Sequence, residues 1–173
     1  MILRQLLSVF ILPFTVTVLI PLWLARRDGV RLGLGTSGLE VTGQGVGGLL
    51  LLIGLALFVS SLRRFATEGE GTLAPWDPPR KLVVRGPYRY VRNPMISGVV
   101  LVLFAESLLL RSMPHASWAL TFLAINAVYI PLLEEPLLHA RFGAAYENYR
   151  QHVPRLVPRL TPWAGTDGSS TAD

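Results

Sequence analysis

Four apolar stretches constrain this chain more than anything else in it. Residues 6–25, 46–62, 94–110 and 117–133 are nearly free of charge, and the segments between them are rich in arginine, glycine and proline. About 20 apolar residues in a helix cross a bilayer core. Of the 173 residues, 51% are hydrophobic and 16% charged, too apolar for an ordinary soluble domain of this size. The expectation is therefore all-α: an integral membrane bundle of about four transmembrane helices. A single domain, residues 1–162, is followed by a disordered tail, residues 163–173.

The boundaries of the runs are marked. Pro13 and Pro21 should bend the first span, leaving carbonyls for neighbouring helices to satisfy, and Arg26 and Arg27 stop it. Residues 28–45 read as a glycine-rich loop. Its GLGTSG, residues 33–38, fits G-x-G-x-x-G, but a dinucleotide site needs a flanking strand and an acid some 20 residues on, where Phe58 stands. These glycines are read as a turn. After residue 133 the pattern changes: Pro136 opens a further helix, with Leu138, Phe142, Ala145 and Tyr149 on one face. This C-terminal amphipathic helix should lie on the membrane surface or cap the bundle.

With four spans, both termini and the loop at 63–93 share one side. That side carries twelve basic residues and the other four. The positive-inside rule puts the twelve in the cytoplasm, as in a bacterial inner membrane. The surplus of basic over acidic residues, 16 to 11, flanks the spans, so lipid head groups and topology account for it and no nucleic-acid partner is expected. There is no cysteine, hence no disulfide, thiolate metal site or cysteine nucleophile. His115, His139 and His152 lack metal-ligand spacing, so no metal is expected.

The most basic loop is RKLVVRGPYRYVRNPMISG, residues 80–98. Gly86-Pro87 makes a turn, Asn93 is a favoured N-cap and Pro94 suits the first helical position. A helix start ringed by arginines at a lipid boundary suits an anionic group. GPYRYVRNP, followed by an apolar helix and then by EEPLLHARFGAAYENYRQHVPRLVP, resembles the isoprenylcysteine carboxyl methyltransferase and phospholipid methyltransferase family over residues 80–158. The resemblance implies a membrane-embedded enzyme using S-adenosylmethionine on a lipophilic or lipid acceptor. It implies cofactor contacts at Arg80, Lys81, Leu82, Val83, Tyr88, Asn93, Pro94, Met95, Ile96 and Glu134, with Arg92 supporting the pocket. Tyr146 and Tyr149 fall in its F-G-x-x-Y-x-x-Y pattern, which packing explains equally well.

Other roles stand beside these. Tyr88 also suits an interfacial anchor, Glu134 and Glu135 suit a helix start, and Arg89 and Arg92 suit lipid phosphates. Glu106 lies mid-span, where an ionisable group is costly, so Asn126 is an expected partner. Glu106 or Glu135 is the candidate base for an amine acceptor. Three positions depart from the family pattern: Asn93 for histidine, Ile96 for tyrosine, and Ile130 for the arginine that engages a prenylcysteine carboxylate. These departures leave the acceptor's class open, with a phospholipid or amine-lipid N-methyltransferase as the alternative. A non-enzymatic membrane scaffold or channel subunit is the alternative from another class.

Overall fold

Every regular element among the described residues is helical, as the apolar runs require. The computed structural model describes residues 10–30, 33–68 and 81–165. The chain enters through α1 (Phe10–Leu19), wound in the wide i→i+5 pattern, and continues as α2 (Ile20–Arg27). Residues 6–9 of the first expected span lie outside the described residues. With that winding, the carbonyl that Pro21 cannot serve is that of Val16, and Trp118 Nε1 donates to it at 3.1 Å. His115, buried in the next hairpin, contacts the Pro21 carbonyl at 3.0 Å. The proline-rich span is satisfied from a neighbouring helix.

The second helix, α3 (Gly38–Glu68), starts eight residues earlier than its apolar run. The reason is a capping box: Glu40 N donates to Ser37 Oγ (3.3 Å), and Ser37 N donates to Glu40 Oε2 (3.2 Å). The latter half of the expected glycine-rich loop is thus helical, while residues 33–37 remain a turn. Arg111 reaches across to Glu40 at 3.2 Å and ties this helix start to the next hairpin.

That hairpin is α4 (Pro94–Leu109) and α5 (Met113–Tyr129). α3 and α4 run antiparallel along a seam of small residues. A Cβ on Gly98 would lie 2.8 Å from the Gly54 carbonyl oxygen, so both glycines are required by the close approach. Val99, Leu103 and Ala119 form a core on the other flank of α4, with Val16, Phe58 and Phe122 packed against them.

Beyond α5 the chain does not break at Pro136. It passes through a wide-wound turn (Ile130–Glu134) directly into α6 (Glu135–His152). Within α6, Gly143 has φ 53°, and the kink shifts the register. Tyr146 and Tyr149 turn inward while Ala145, expected on that face, is exposed. The second core forms there: Tyr146, Tyr149 and Val153, with Leu82, Phe142 and Trp163. Trp163 is therefore part of the fold and not the start of a tail, since its ring packs 5.7 Å from that of Tyr149. Residues 166–173 lie outside the described residues.

Among the described residues two helices are long and apolar enough to cross a membrane, within residues 38–64 and 113–152, and α4 is a shorter apolar helix. Most of each long apolar window faces outward, with Leu49, Leu52, Leu120, Ile125 and Val128 exposed. A water-soluble core helix would bury that surface; a lipid-facing one would not.

Candidate functional site

Between the two cores lies a cavity of about 600 Å³, within the range of small-molecule and cofactor sites. One end is polar and the other apolar. The loop at 81–93 and the start of α4 build the polar end.

Tyr88 is placed by a 3₁₀ turn, Gly86–Arg89, opened by Pro87. Its carbonyl accepts from Tyr149 Oη at 2.6 Å, which pins the turn to α6. Tyr88 is 7% exposed and lines the cavity, yet among the described residues its own hydroxyl has no hydrogen-bond partner. A buried hydroxyl left unbonded costs about 1–3 kcal/mol. Burial, and then the nearby charge of Glu134, push this phenol above its ordinary pKa, so it stays a neutral donor.

Asn93 occupies the N-cap position of α4, but its side chain makes no capping bond. Its Nδ2 donates instead to Glu134 Oε1 at 3.1 Å, joining the two walls of the polar end. Met95 and Ile96 line the cavity, and as first-turn residues their amides have no carbonyl within the helix to serve. Lys81 lines the same end.

Arg92 also lines the cavity; its buried Nε has no hydrogen-bond partner among the described residues, while its Nη1 is engaged. Its Nη1 lies 3.0 Å from Glu135 Oε1 and donates to Tyr146 Oη at 3.3 Å. Glu135 is buried and accepts a second guanidinium, Arg155 Nε, at 2.6 Å. It pairs with these two arginines and does not line the cavity. It does not sit where it could take a proton from a bound acceptor.

The apolar end is made by Leu12, Val16, Phe58, Val99 and Phe122, with Tyr129 and Asn126 among them. Asn126 donates to the Phe122 carbonyl at 2.8 Å and does not pair with Glu106. In a hairpin that turns at residues 110–112, Asn126 lies level with the start of α4, roughly ten residues or about 15 Å from Glu106. Glu106 does not line the cavity either.

Nine of the ten expected cofactor contacts meet at this one cavity: Lys81, Leu82, Val83, Tyr88, Asn93, Pro94, Met95, Ile96 and Glu134. The tenth, Arg80, lies outside the described residues. Sequence reasoning did not find Val16, Phe58 and Tyr129. They read as ordinary span residues, and only the packing of α1, α3 and α5 turns them toward one space. Among the described residues no cluster of three His, Asp or Glu side chains is placed to hold a metal ion.

Residues 43–145, well over half of the chain, match the model of the phospholipid methyltransferase family, and the chain belongs to that family. It is 38% identical over 80 residues to methanethiol S-methyltransferase 2 of Bradyrhizobium diazoefficiens, covering 46% of this chain and 30% of that protein. It is also 38% identical over 74 residues to methanethiol S-methyltransferase of Crocosphaera subtropica, covering 41% of this chain and 27% of that protein. The chain thus matches less than a third of the length of these curated relatives. No solved structure matches it significantly.

Proposed function

We propose that this member of the phospholipid methyltransferase family is an integral membrane methyltransferase that uses S-adenosylmethionine on a lipophilic acceptor. The observation that carries the reading is the two-ended cavity, with a donor-rich polar end and an apolar end that continues into the bundle. In this reading α1 with α2, α3, α4 and α5 are the four spans, and the polar end faces the cytoplasm.

The polar end fits the cofactor's groups. Lys81 and the first-turn amides of Met95 and Ile96 suit its carboxylate. Glu134, steadied by Asn93, suits its ammonium. Tyr88 offers an aromatic face, and its unpartnered hydroxyl gains an acceptor. When bound, the cofactor supplies a methyl group made electrophilic by a sulfonium. The protein's part is positioning, which is worth at most about 7–11 kcal/mol, and exclusion of water by Phe58, Phe122 and Phe142 around the cavity.

A thiol is the acceptor class best suited to this site. An amine is protonated near neutrality and needs a base; neither Glu106 nor Glu135 lines the cavity, and Glu134, which does, is held by Asn93 and taken up by the cofactor's ammonium in this reading. A thiol is uncharged near neutrality, and its small thiolate fraction is intrinsically very nucleophilic, so it needs less help. The names of the two relatives point the same way. Ile130, at the position expected to bear a carboxylate-binding arginine, is fully buried outside the cavity, which weighs against a carboxyl acceptor.

The test is calorimetric titration of S-adenosylhomocysteine into the detergent-purified protein, with Glu134→Gln beside it. Saturable binding that the folded variant loses is expected. No binding to folded wild-type protein in the presence of lipid would overturn the reading and favour a scaffold. Incubation with labelled cofactor and a series of alkanethiols or alkylamines then separates the acceptor classes.

A further inference from the structure

The loop that carries Tyr88, Arg92 and Asn93 has backbone bonds of its own only in the short turn at 85–91, and Tyr149 pins that turn to α6. Otherwise the loop's backbone is held by the segment that follows α6, residues 153–163. Arg92 N donates to the Pro154 carbonyl at 2.8 Å, and Asn93 N to that of Arg155 at 3.1 Å. In the other direction Arg159 N donates to the Tyr90 carbonyl (3.0 Å) and Trp163 N to that of Arg89 (2.9 Å). Ser97 Oγ, one turn into α4, donates to the Leu156 carbonyl at 2.9 Å. The strap therefore runs alongside the whole approach to α4. It lies beyond residue 145, where the family match ends.

Side-chain contacts also hold the strap: Arg89 Nε donates to the Trp163 carbonyl, Arg159 Nη1 donates to that of His152, and two anchors lie deeper. One is Arg155, whose Nε donates to the buried Glu135, the same oxygen that meets Arg92. The other is Trp163, stacked on His152 at 5.4 Å and packed on Tyr149. Each connects to the cavity by a short path. Arg155 acts through Glu135 on Arg92. The backbone at 154–155 sets Asn93, whose amide holds Glu134.

We infer that Arg155 and Glu135 are positioning residues for the cofactor wall, holding the strap so that Arg92, Asn93 and Glu134 keep their places. Neither touches the cavity. The inference rests on the reading of that cavity as a cofactor site. A loop held mainly by contacts to one neighbouring segment opens locally when that segment is released, without unfolding the bundle.

Two readouts on the full-length protein in detergent test it. Amide hydrogen exchange reports the loop without any ligand. In Arg155→Ala the amides of Arg92 and Asn93 should exchange about tenfold faster or more, as expected on losing a charged hydrogen bond, while those of α3 are unchanged. Calorimetry with S-adenosylhomocysteine reports the site, and Arg155→Ala should weaken binding by a similar factor. Arg155→Lys should recover most of the affinity, because the charge toward Glu135 is retained. Trp163→Ala, which leaves the ion pairs intact, should give the same local loosening and guards against a variant that fails to fold. Unchanged exchange at Arg92 and Asn93 in both alanine variants would overturn the inference. So would wild-type affinity in a variant whose melting temperature has fallen, or no recovery in Arg155→Lys. If the wild type binds no S-adenosylhomocysteine, the cofactor reading falls on its own, and the exchange data still decide whether the strap holds the loop.

Discussion

Replacing Gly98 by alanine tests the seam on which the cavity depends. A Cβ there would lie 2.8 Å from the Gly54 carbonyl oxygen, 2.9 Å from Phe58 N and 3.1 Å from Phe58 Cβ. The first two are backbone atoms of α3 and cannot swing aside. Restoring ordinary contact at about 3.5 Å requires the helices to part by roughly 0.5–1 Å. Overpacking of this kind costs about 1–3 kcal/mol, and the gain of alanine over glycine in a helix offsets about 0.5–1 kcal/mol of it. A net loss of about 1–2 kcal/mol is expected, a fall in melting temperature of about 2–8 °C for a chain of this size. Because Phe58 and Val99 line the cavity from either side of the seam, cofactor or acceptor affinity should fall with it. The assay is thermal unfolding in detergent followed by tryptophan fluorescence, with Gly48→Ala as control. No atom lies within 4 Å of a Cβ at Gly48, so that variant receives the helix gain without the clash. If Gly98→Ala melts no lower than Gly48→Ala, the close approach of α3 and α4 is wrong.

Tyr88→Phe removes a buried hydroxyl with no partner and should stabilise the ligand-free protein by about 1 kcal/mol while weakening cofactor binding. A loss of apo stability in the melting curve would refute this. The same residue carries a pH dependence. Its folded-state pKa is raised by burial and by Glu134, so the unfolded chain releases the phenolic proton first as pH climbs past about 10. Stability is full below that pH and falls above it, by up to about 1.4 kcal/mol per pH unit. Melting curves from pH 9 to 11 should be flatter for Tyr88→Phe than for wild type by this amount. Ser37→Ala removes one half of the capping box at the start of α3 and should cost about 1 kcal/mol without changing cofactor affinity. An equal loss of affinity would show that the far end of α3 is coupled to the site.

Which residues would be helical, and roughly where the helices lie, was legible in the sequence, because hydrocarbon thickness and helical rise leave few options for long uncharged runs. The same is true of the polar wall of the cavity. Loop 80–98 is local in the chain, so Gly86-Pro87 and Asn93-Pro94 announce its turn and its helix start within a few residues of the side chains they position. The Ser37-x-x-Glu40 box was equally local and was hidden only by the glycines around it. Other features depend on contacts far apart in the chain. Glu135 looks like a reactive acid in sequence, and only the approach of Arg92 and Arg155, from 43 residues before it and 20 after, makes it a buried counter-ion. Glu106 and Asn126 look like a pair until the position of the hairpin turn separates their levels. The apolar end of the cavity is carried by residues indistinguishable from any other lipid-facing span, since periodicity gives a helix its faces but not its neighbour. Sequence alone determined the helices and the polar wall through local geometry and solvent. Tertiary packing decided which charges are spent on one another and which space is left open for chemistry, because those outcomes depend on distances that no local pattern encodes.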